Sequence, residues 1–198
     1  MAGRVVGGRA GEGRAVPQVD RRPTKPQRPL KVRFSKRQLE AKARGLGAIA
    51  ARAIDPADVT TGRWVRFKCQ FGCGGYGSSL MCPPHSPPPG RTRRMLDEYK
   101  RAVLFEGPLG RVKRIAAELE RVLFLAGYYR AFGLGGGPCD LCDACAFDEG
   151  CRHPRQARPA MEACGIDVYA TVRRHGFTLD VVRTRKDQQH YYGIVLVE

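Results

Sequence analysis

The feature that most constrains this sequence is a run of four cysteines within thirteen residues: Cys139, Cys142, Cys145 and Cys151. The gaps between them are two, two and five residues, and the two short gaps let three thiolates turn around one cubane cluster. Structural zinc sites more often use two Cys-x2-Cys pairs that a longer arm separates. The spacing therefore favours a 4Fe-4S iron-sulfur cluster, and zinc is the alternative metal.

The last gap of this run does not decide which cluster the fourth cysteine, Cys151, serves. The bacterial ferredoxin pattern has three residues in that gap and a proline directly after the final cysteine. Here the gap is five residues, and Pro154 follows only after Arg152 and His153. Because the fourth cysteine of two-cluster ferredoxins serves the other cluster, Cys151 completes either its own site or a neighbouring one.

A second group of thiols lies earlier in the chain, at Cys69, Cys73 and Cys82. Three cysteines can hold a cubane and leave one iron open to a substrate, a water or a non-cysteine ligand such as His85 or Tyr76. Two alternatives remain, which are a zinc site completed by His85 and a fourth thiolate supplied by Cys151. The sequence therefore predicts one or two clusters and seven candidate metal and cofactor ligands: Cys69, Cys73, Cys82, Cys139, Cys142, Cys145 and Cys151.

The eighth cysteine, Cys164, is isolated from both groups, and we predict that it is a small buried hydrophobic residue.

The sequence contains no apolar core of the secretory kind and no apolar segment of bilayer length. We therefore predict a cytoplasmic protein without a membrane partner, in a compartment where thiols stay reduced.

Residues 1–37 form a basic segment, with eleven Lys or Arg residues against Glu12 and Asp20, a net charge of +9 out of +16 for the whole chain. The segment is rich in Gly, Pro and Arg and poor in periodic apolar residues, which predicts a disordered tail. Residues 38–198 are then a single cysteine-rich metal-binding domain. The blocks of charge favour a solvated tail over a nucleic-acid-binding arm, which is the alternative.

Periodicity predicts an α/β (α+β) fold, in which helices pack on a four-stranded mixed sheet and two cysteine-rich loops project from it. The predicted strands are residues 102–107, 128–135, 177–184 and 191–198. The predicted helices are residues 35–54, 92–102, 109–127, 158–165 and 167–176. Ser35 is the expected N-cap of the first helix, and Gly165 and Gly176 are expected to end the last two helices in the left-handed conformation. Residues 55–90 are expected to be mostly irregular, because prolines and glycines cluster there.

Two stretches together resemble a known family: KCQFGCGGYGSSLMCPPHSP and GPCDLCDACAFDEGCRHPRQARPAMEACGIDVYATVRRHG. They are similar to the pattern of a prokaryotic family described as predicted metal-binding proteins, domain of unknown function 2284, over about residues 60–198. The resemblance implies that the seven candidate cysteines bind metal and that the family occurs mainly in anaerobic bacteria and archaea. It implies no reaction, and the basic tail lies outside the family pattern.

Three functional hypotheses follow. The preferred one is an electron carrier whose redox centre is the second group of cysteines, with Arg152, His153, Arg155 and Arg158 as cations that would receive an acidic redox partner protein. An enzyme that acts at an open iron held by Cys69, Cys73 and Cys82 is the second hypothesis. A zinc-stabilised module that binds nucleic acid through its tail is the third. His175 and His190 have no partnering motif in the sequence, and Glu162 and Asp167 are assigned to helix roles.

Overall fold

The computed structural model describes residues 32–198, in which a four-stranded sheet forms the centre of the fold. Residues 1–31 of the predicted tail lie outside the described residues, and Lys36 and Arg37 already belong to the first helix. The strands are β1 (Ala50–Ile54), β2 (Ala102–Gly107), β3 (Phe132–Leu134) and β4 (Tyr191–Leu196), in the order β1-β2-β4-β3. The predicted α+β class and the number of strands are confirmed.

The strand directions differ from the prediction, because all three strand pairs in the described chain are antiparallel and the sheet is not mixed. Strands β2 and β3 run in the same direction, as a β-α-β unit predicts, but β4 lies between them and separates them. The unit is therefore a split β-α-β arrangement, in which the C-terminal strand enters the gap.

The sheet is covered on both faces. Helices α1 (Lys36–Gly45) and α4 (Val112–Leu125) pack on one face, where Val103 and Phe105 of β2 and Val195 of β4 enter the first core. Helix α3 (Pro89–Asp97), a 3-10 turn at Glu162–Cys164 and helix α5 (Val168–Arg174) cover the other face. There Leu104 and Ile194 enter the second core, because successive strand side chains point to opposite faces.

The first predicted helix is correct at its start and wrong at its end. The Ser35 hydroxyl accepts the backbone N–H of Gln38, and the Gln38 side chain accepts the N–H of Ser35, so the expected N-cap is a complete capping box. The helix ends at Gly45, and Gly47 has a φ of +100°, which favours glycine. The last five residues of the predicted helix, 50–54, form β1, which pairs with β2.

The predicted strand over residues 177–184 is wrong, because this segment has no regular secondary structure. Phe177 and Leu179 pack against the second core, while the side chains of Val181 and Val182 are exposed. The Arg173 guanidinium donates to the carbonyl oxygen of Leu179 and takes the place of a strand partner there. The sheet still has four strands, because β1 is a strand in place of residues 177–184.

Residues 55–90 hold more regular structure than predicted, since helix α2 (Arg63–Gly72) lies among them and α3 begins at Pro89. The predicted helix at residues 158–165 is only the 3-10 turn Glu162–Cys164. Gly165 and Gly176 each have a φ of +76°, which confirms the left-handed ends. Within residues 32–198, no helix has the length and apolar character needed to cross a bilayer.

Gly193 of β4 provides a test of the packing between sheet and helix. A Cβ atom at Gly193 would lie 2.6 Å from Cζ of Phe105 and 3.0 Å from the carbonyl oxygen of Leu134. We expect Gly193→Ala to lower the free energy of unfolding by about 1–3 kcal/mol, because overpacking forces neighbouring groups to shift. Urea denaturation of the full chain measures the change.

The matched control is Gly45→Ala at the end of α1, where a Cβ atom would meet no other atom within 4 Å. Alanine there should raise the free energy of unfolding by about 0.4–1 kcal/mol, because it restricts the unfolded chain. Equal effects of the two substitutions would contradict this account of the packing.

Candidate metal centre

All eight cysteines lie in the described part of the chain, and all are free thiols. The first cysteine loop, residues 69–82, begins on the last turns of α2 with Cys69. Cys73 directly follows α2 and is exposed, whereas Cys82 is buried. The second cysteine loop, residues 139–151, follows β3 without regular structure, and its four thiols are all partly exposed.

The two cysteine loops touch each other. The backbone N–H of Leu80 in the first loop donates to the sulfur of Cys145 in the second, at 3.4 Å. The rings of His85 and Phe147 are in contact, with centroids 5.0 Å apart. The structure therefore brings together two groups of thiols that are far apart in sequence.

Further backbone N–H groups point at cysteine sulfurs within each loop. The N–H of Gly75 lies 3.4 Å from the sulfur of Cys73, and the N–H of His153 lies 3.4 Å from the sulfur of Cys151. Such donors stabilise a thiolate and are among the groups that set the potential of an iron-sulfur cluster. The chemistry of these donors and thiols fits a thiolate-bound metal group.

Within residues 32–198, no three Cys, His, Asp or Glu side chains meet at a point where they would hold a metal ion. The assignment of the seven cysteines as ligands therefore stays a prediction.

His153 contributes its backbone N–H to Cys151, and its backbone carbonyl accepts the N–H groups of Gln156 and Ala157. His85 packs its ring on the second loop.

A cavity of about 840 Å³ lies beside the first cysteine loop. Cys69, Cys73 and Cys82 all line it, whereas the cavity lining in the described chain includes no cysteine of the second loop. The two groups of thiols therefore differ in setting: the first lines a cavity, and the second lies in a partly exposed loop outside the cavity lining.

Charge and burial act together on the acidic groups at this wall. The pKa of the Cys69 thiol is raised by burial first and then by the negative charges of Cys73 and Glu162, while Arg66 opposes the shift. Glu162 is exposed by surface area and lines the cavity, but the protein packed around its carboxyl group raises the pKa of that group. Sequence reasoning assigned Glu162 a helix role only, and the structure adds a place in the cavity wall.

Arg66 ties the end of the first loop to the second face of the sheet. Its guanidinium donates to the carbonyl oxygens of Ser86, Pro87 and Ala163. The hydroxyl of Ser86 also donates to the carbonyl of Ala163, at 2.6 Å. These bonds hold the chain after Cys82 against the 3-10 turn that carries Glu162.

The second loop is anchored at both ends by residues of α4. Lys113 donates to the Asp140 carboxylate, at 2.7 Å, and to the carbonyl of Pro138. After the loop, the Arg158 guanidinium makes two hydrogen bonds of 2.6 Å to the Glu120 carboxylate. Arg158 is therefore not the uncompensated cation beside a cluster that the sequence suggested, because Glu120 offsets its charge.

Cys164 has the structural role that was predicted for it. Only 1% of its surface is exposed, and it packs in the second core with Met161 and Ile166. Burial raises the pKa of its thiol to about 12. Cys164 is therefore a neutral, small hydrophobic residue.

Sequence reasoning missed one pair of residues at the cavity. The Nδ1 atom of His190 lies 2.7 Å from a carboxylate oxygen of Glu106, and His190 lines the cavity. The two residues are 84 positions apart, so no local motif in the sequence signals the contact.

The described chain is a cysteine-rich α+β protein with two adjacent loops of free thiols. The family model described as Predicted metal-binding protein (DUF2284) matches residues 52–197, and the chain belongs to this family. The match confirms the resemblance drawn from the cysteine motifs. No curated protein and no solved structure matches the chain.

Removing the Glu120 carboxylate tests how the second loop is anchored. Glu120 and Arg158 are 16% and 13% exposed, and Glu120 also accepts the backbone N–H of Gly133. We expect Glu120→Ala to lower the free energy of unfolding by about 3 kcal/mol, because it leaves a mostly buried guanidinium without its partner. Chemical denaturation measures this, and limited proteolysis with trypsin should show faster cleavage after Arg155, since Pro159 blocks cleavage after Arg158 itself.

Glu118→Ala on the same helix is the control, since Glu118 pairs with the exposed Arg114. Water screens that ion pair, so stability and cleavage should stay close to those of the unchanged protein. A larger loss for Glu118→Ala than for Glu120→Ala would rule out the anchoring role.

Proposed function

We propose that this protein is a cytoplasmic iron-sulfur protein that carries electrons, with a 4Fe-4S cluster held by Cys139, Cys142, Cys145 and Cys151. The observation that supports this most directly is the N–H bond from Leu80 to the sulfur of Cys145. This bond adds a backbone hydrogen-bond donor from the first loop to one sulfur of Cys139, Cys142 and Cys145, whose spacing suits a cubane cluster. Eight free thiols also suit a reducing compartment.

A bound 4Fe-4S cluster would supply a one-electron redox couple at this loop. The chain contributes the backbone donors that stabilise the thiolates and the ion pairs of Lys113 and Arg158 that hold the ends of the loop. The four thiols are partly exposed, so a redox partner protein can approach the centre. Arg155, just after the loop, is an exposed cation that an acidic partner would meet, whereas the exposed Arg152 is paired with Glu149 at 3.1 Å.

Metal analysis of the anaerobically purified full chain tests this proposal. We expect a brown protein with about four iron and four sulfide ions for each cluster. Cys142→Ser should remove the second loop's share of iron and its visible absorption, because the triplet loses its central ligand. Cys164→Ser, the matched control in the buried core, should leave both unchanged. A colourless protein with stoichiometric zinc would contradict the proposal.

The second candidate function is an enzyme whose cluster, held by Cys69, Cys73 and Cys82, acts on a substrate. The observation that favours it is that these three thiols line the 840 Å³ cavity. Three cysteine ligands leave one iron of a cubane without a thiolate, and a cavity of this size suits a small organic molecule. The third hypothesis rests on the basic tail, of which residues 1–31 lie outside the described residues.

Cys69→Ser separates the second candidate from the first. If each cysteine loop holds its own cluster, this substitution should remove about half of the bound iron. The redox signal of the second loop, followed by electron paramagnetic resonance, should persist. An unchanged iron content in Cys69→Ser would refute a cluster at the first loop and leave the electron carrier standing.

A further inference from the structure

The Glu106–His190 pair lies where the central strands end. Glu106 is on β2, directly opposite Tyr192 of β4, and His190 precedes β4. The Nδ1 atom of His190 is 2.7 Å from Oε1 of Glu106, and the two side chains are only 17% and 15% exposed. The pair is therefore held by the pairing of two central strands and not by a mobile surface side chain.

This contact decides which nitrogen of His190 carries a proton. A carboxylate can only accept a hydrogen bond, so Nδ1 donates and the lone pair of the neutral ring is on Nε2. Within residues 32–198, no protein atom forms a hydrogen bond with Nε2, and this atom is not among the buried ones without a partner. Since His190 lines the cavity, Nε2 is available to a molecule bound there.

The cavity wall indicates the kind of molecule. Most of the lining side chains are aromatic or aliphatic, among them Trp64, Tyr76, Val168, Tyr169, Leu179 and Val181. Apolar walls with a few directed polar groups are typical of sites for small organic ligands. Tyr192 also lines the cavity, but burial, and then the charge of Glu106, raise its pKa to about 12. Its hydroxyl therefore stays protonated at neutral pH and donates to the carbonyl of Thr178.

We propose that Glu106 and His190 form a proton-transfer dyad that serves a small aromatic or otherwise apolar molecule bound in the cavity through a hydroxyl group. His190 is the catalytic residue, and Glu106 is a positioning residue that acts through it. The O–H bond of the bound molecule breaks as an N–H bond forms at Nε2, which yields an oxyanion and an imidazolium beside Glu106. The same proton returns from Nε2 to the oxyanion before the molecule leaves.

The dyad does not depend on a metal cluster, because neither residue is among the candidate ligands. The aromatic wall and the thiols of the first loop nevertheless share one cavity. A molecule bound at His190 would therefore lie in the same space that Cys69, Cys73 and Cys82 face.

Nitrogen NMR of the full chain, labelled with 15N at its four histidines, tests the role of Glu106. We expect neutral His190 to carry its proton on Nδ1. Glu106→Ala should shift the proton to Nε2, the form that a free imidazole side chain prefers in water. Glu106→Gln, which keeps the shape and can still accept a hydrogen bond, should retain the Nδ1–H form and serves if the alanine variant does not fold. An Nε2–H form in the unchanged protein would overturn the proposal.

Carbethoxylation by diethyl pyrocarbonate tests whether Nε2 is available, because an unprotonated ring nitrogen attacks this reagent. Peptide mass spectrometry then gives a rate for each histidine. We expect His190 to react faster than His175, whose Nε2 is buried without a partner in the described chain. Glu106→Ala should slow the reaction at His190 by about tenfold, because the proton then moves to Nε2, the nitrogen that otherwise attacks the reagent. Equal rates at His190 in the two proteins would overturn the positioning role.

The hydroxyl-bearing ligand is tested with 4-nitrophenol as the probe. It should protect His190 from carbethoxylation without protecting His85, which lies outside the cavity lining. It should also quench the fluorescence of Trp64, the single tryptophan of the chain. No protection, or equal protection of both histidines, would overturn the assignment of the cavity to this class of molecule. None of these measurements depends on iron content. A negative result would therefore overturn the dyad without contradicting the proposed cluster.

Discussion

The central strands β2 and β4 are apolar on both faces, and the rest of the described chain is arranged around that constraint. Val195 of β4 and Val197 directly after it enter one core, whereas Ile194 and Leu196 of β4 enter the other. If either face stayed in water, the chain would lose the stabilising free energy that comes from burying its apolar side chains, so both faces must be covered. Helices α1 and α4 cover one face, and α3, the 3-10 turn and α5 cover the other.

The asymmetry of these two layers explains where the candidate chemistry lies. The 14-residue helix α4 and α1 cover the first face, whereas the second is covered by α3, α5, the 3-10 turn and loops, and the cavity forms on that second side. Cys69 comes from α2, Glu162 from the 3-10 turn and His190 from the residue before β4. The sheet therefore acts as the rigid base from which separate segments bring thiols, a carboxyl group and an imidazole to one wall.

Segments with a strong local signal could be predicted, whereas those decided by pairing could not. The amphipathic helix α4, strands β2 and β4 and the Ser35 cap follow from periodicity and capping chemistry, which are properties of short segments. Residues 50–54 were predicted to be helical and residues 177–184 to be a strand, but residues 50–54 form the strand that pairs with β2. Arg158 looked like a cation beside a cluster because its partner, Glu120, lies 38 positions away.

The sequence by itself determined the chemistry of the donors: two groups of closely spaced cysteines, an isolated eighth, and the motifs that carry membership of the family. The number of residues between two cysteines is fixed by the covalent chain, so it can be read without knowledge of the fold. Only the tertiary structure decided that the two cysteine loops touch, that the first faces a cavity and that Glu106 meets His190. These contacts join residues 65 and 84 positions apart, and they exist because the two-faced core brings distant segments to one side of the sheet.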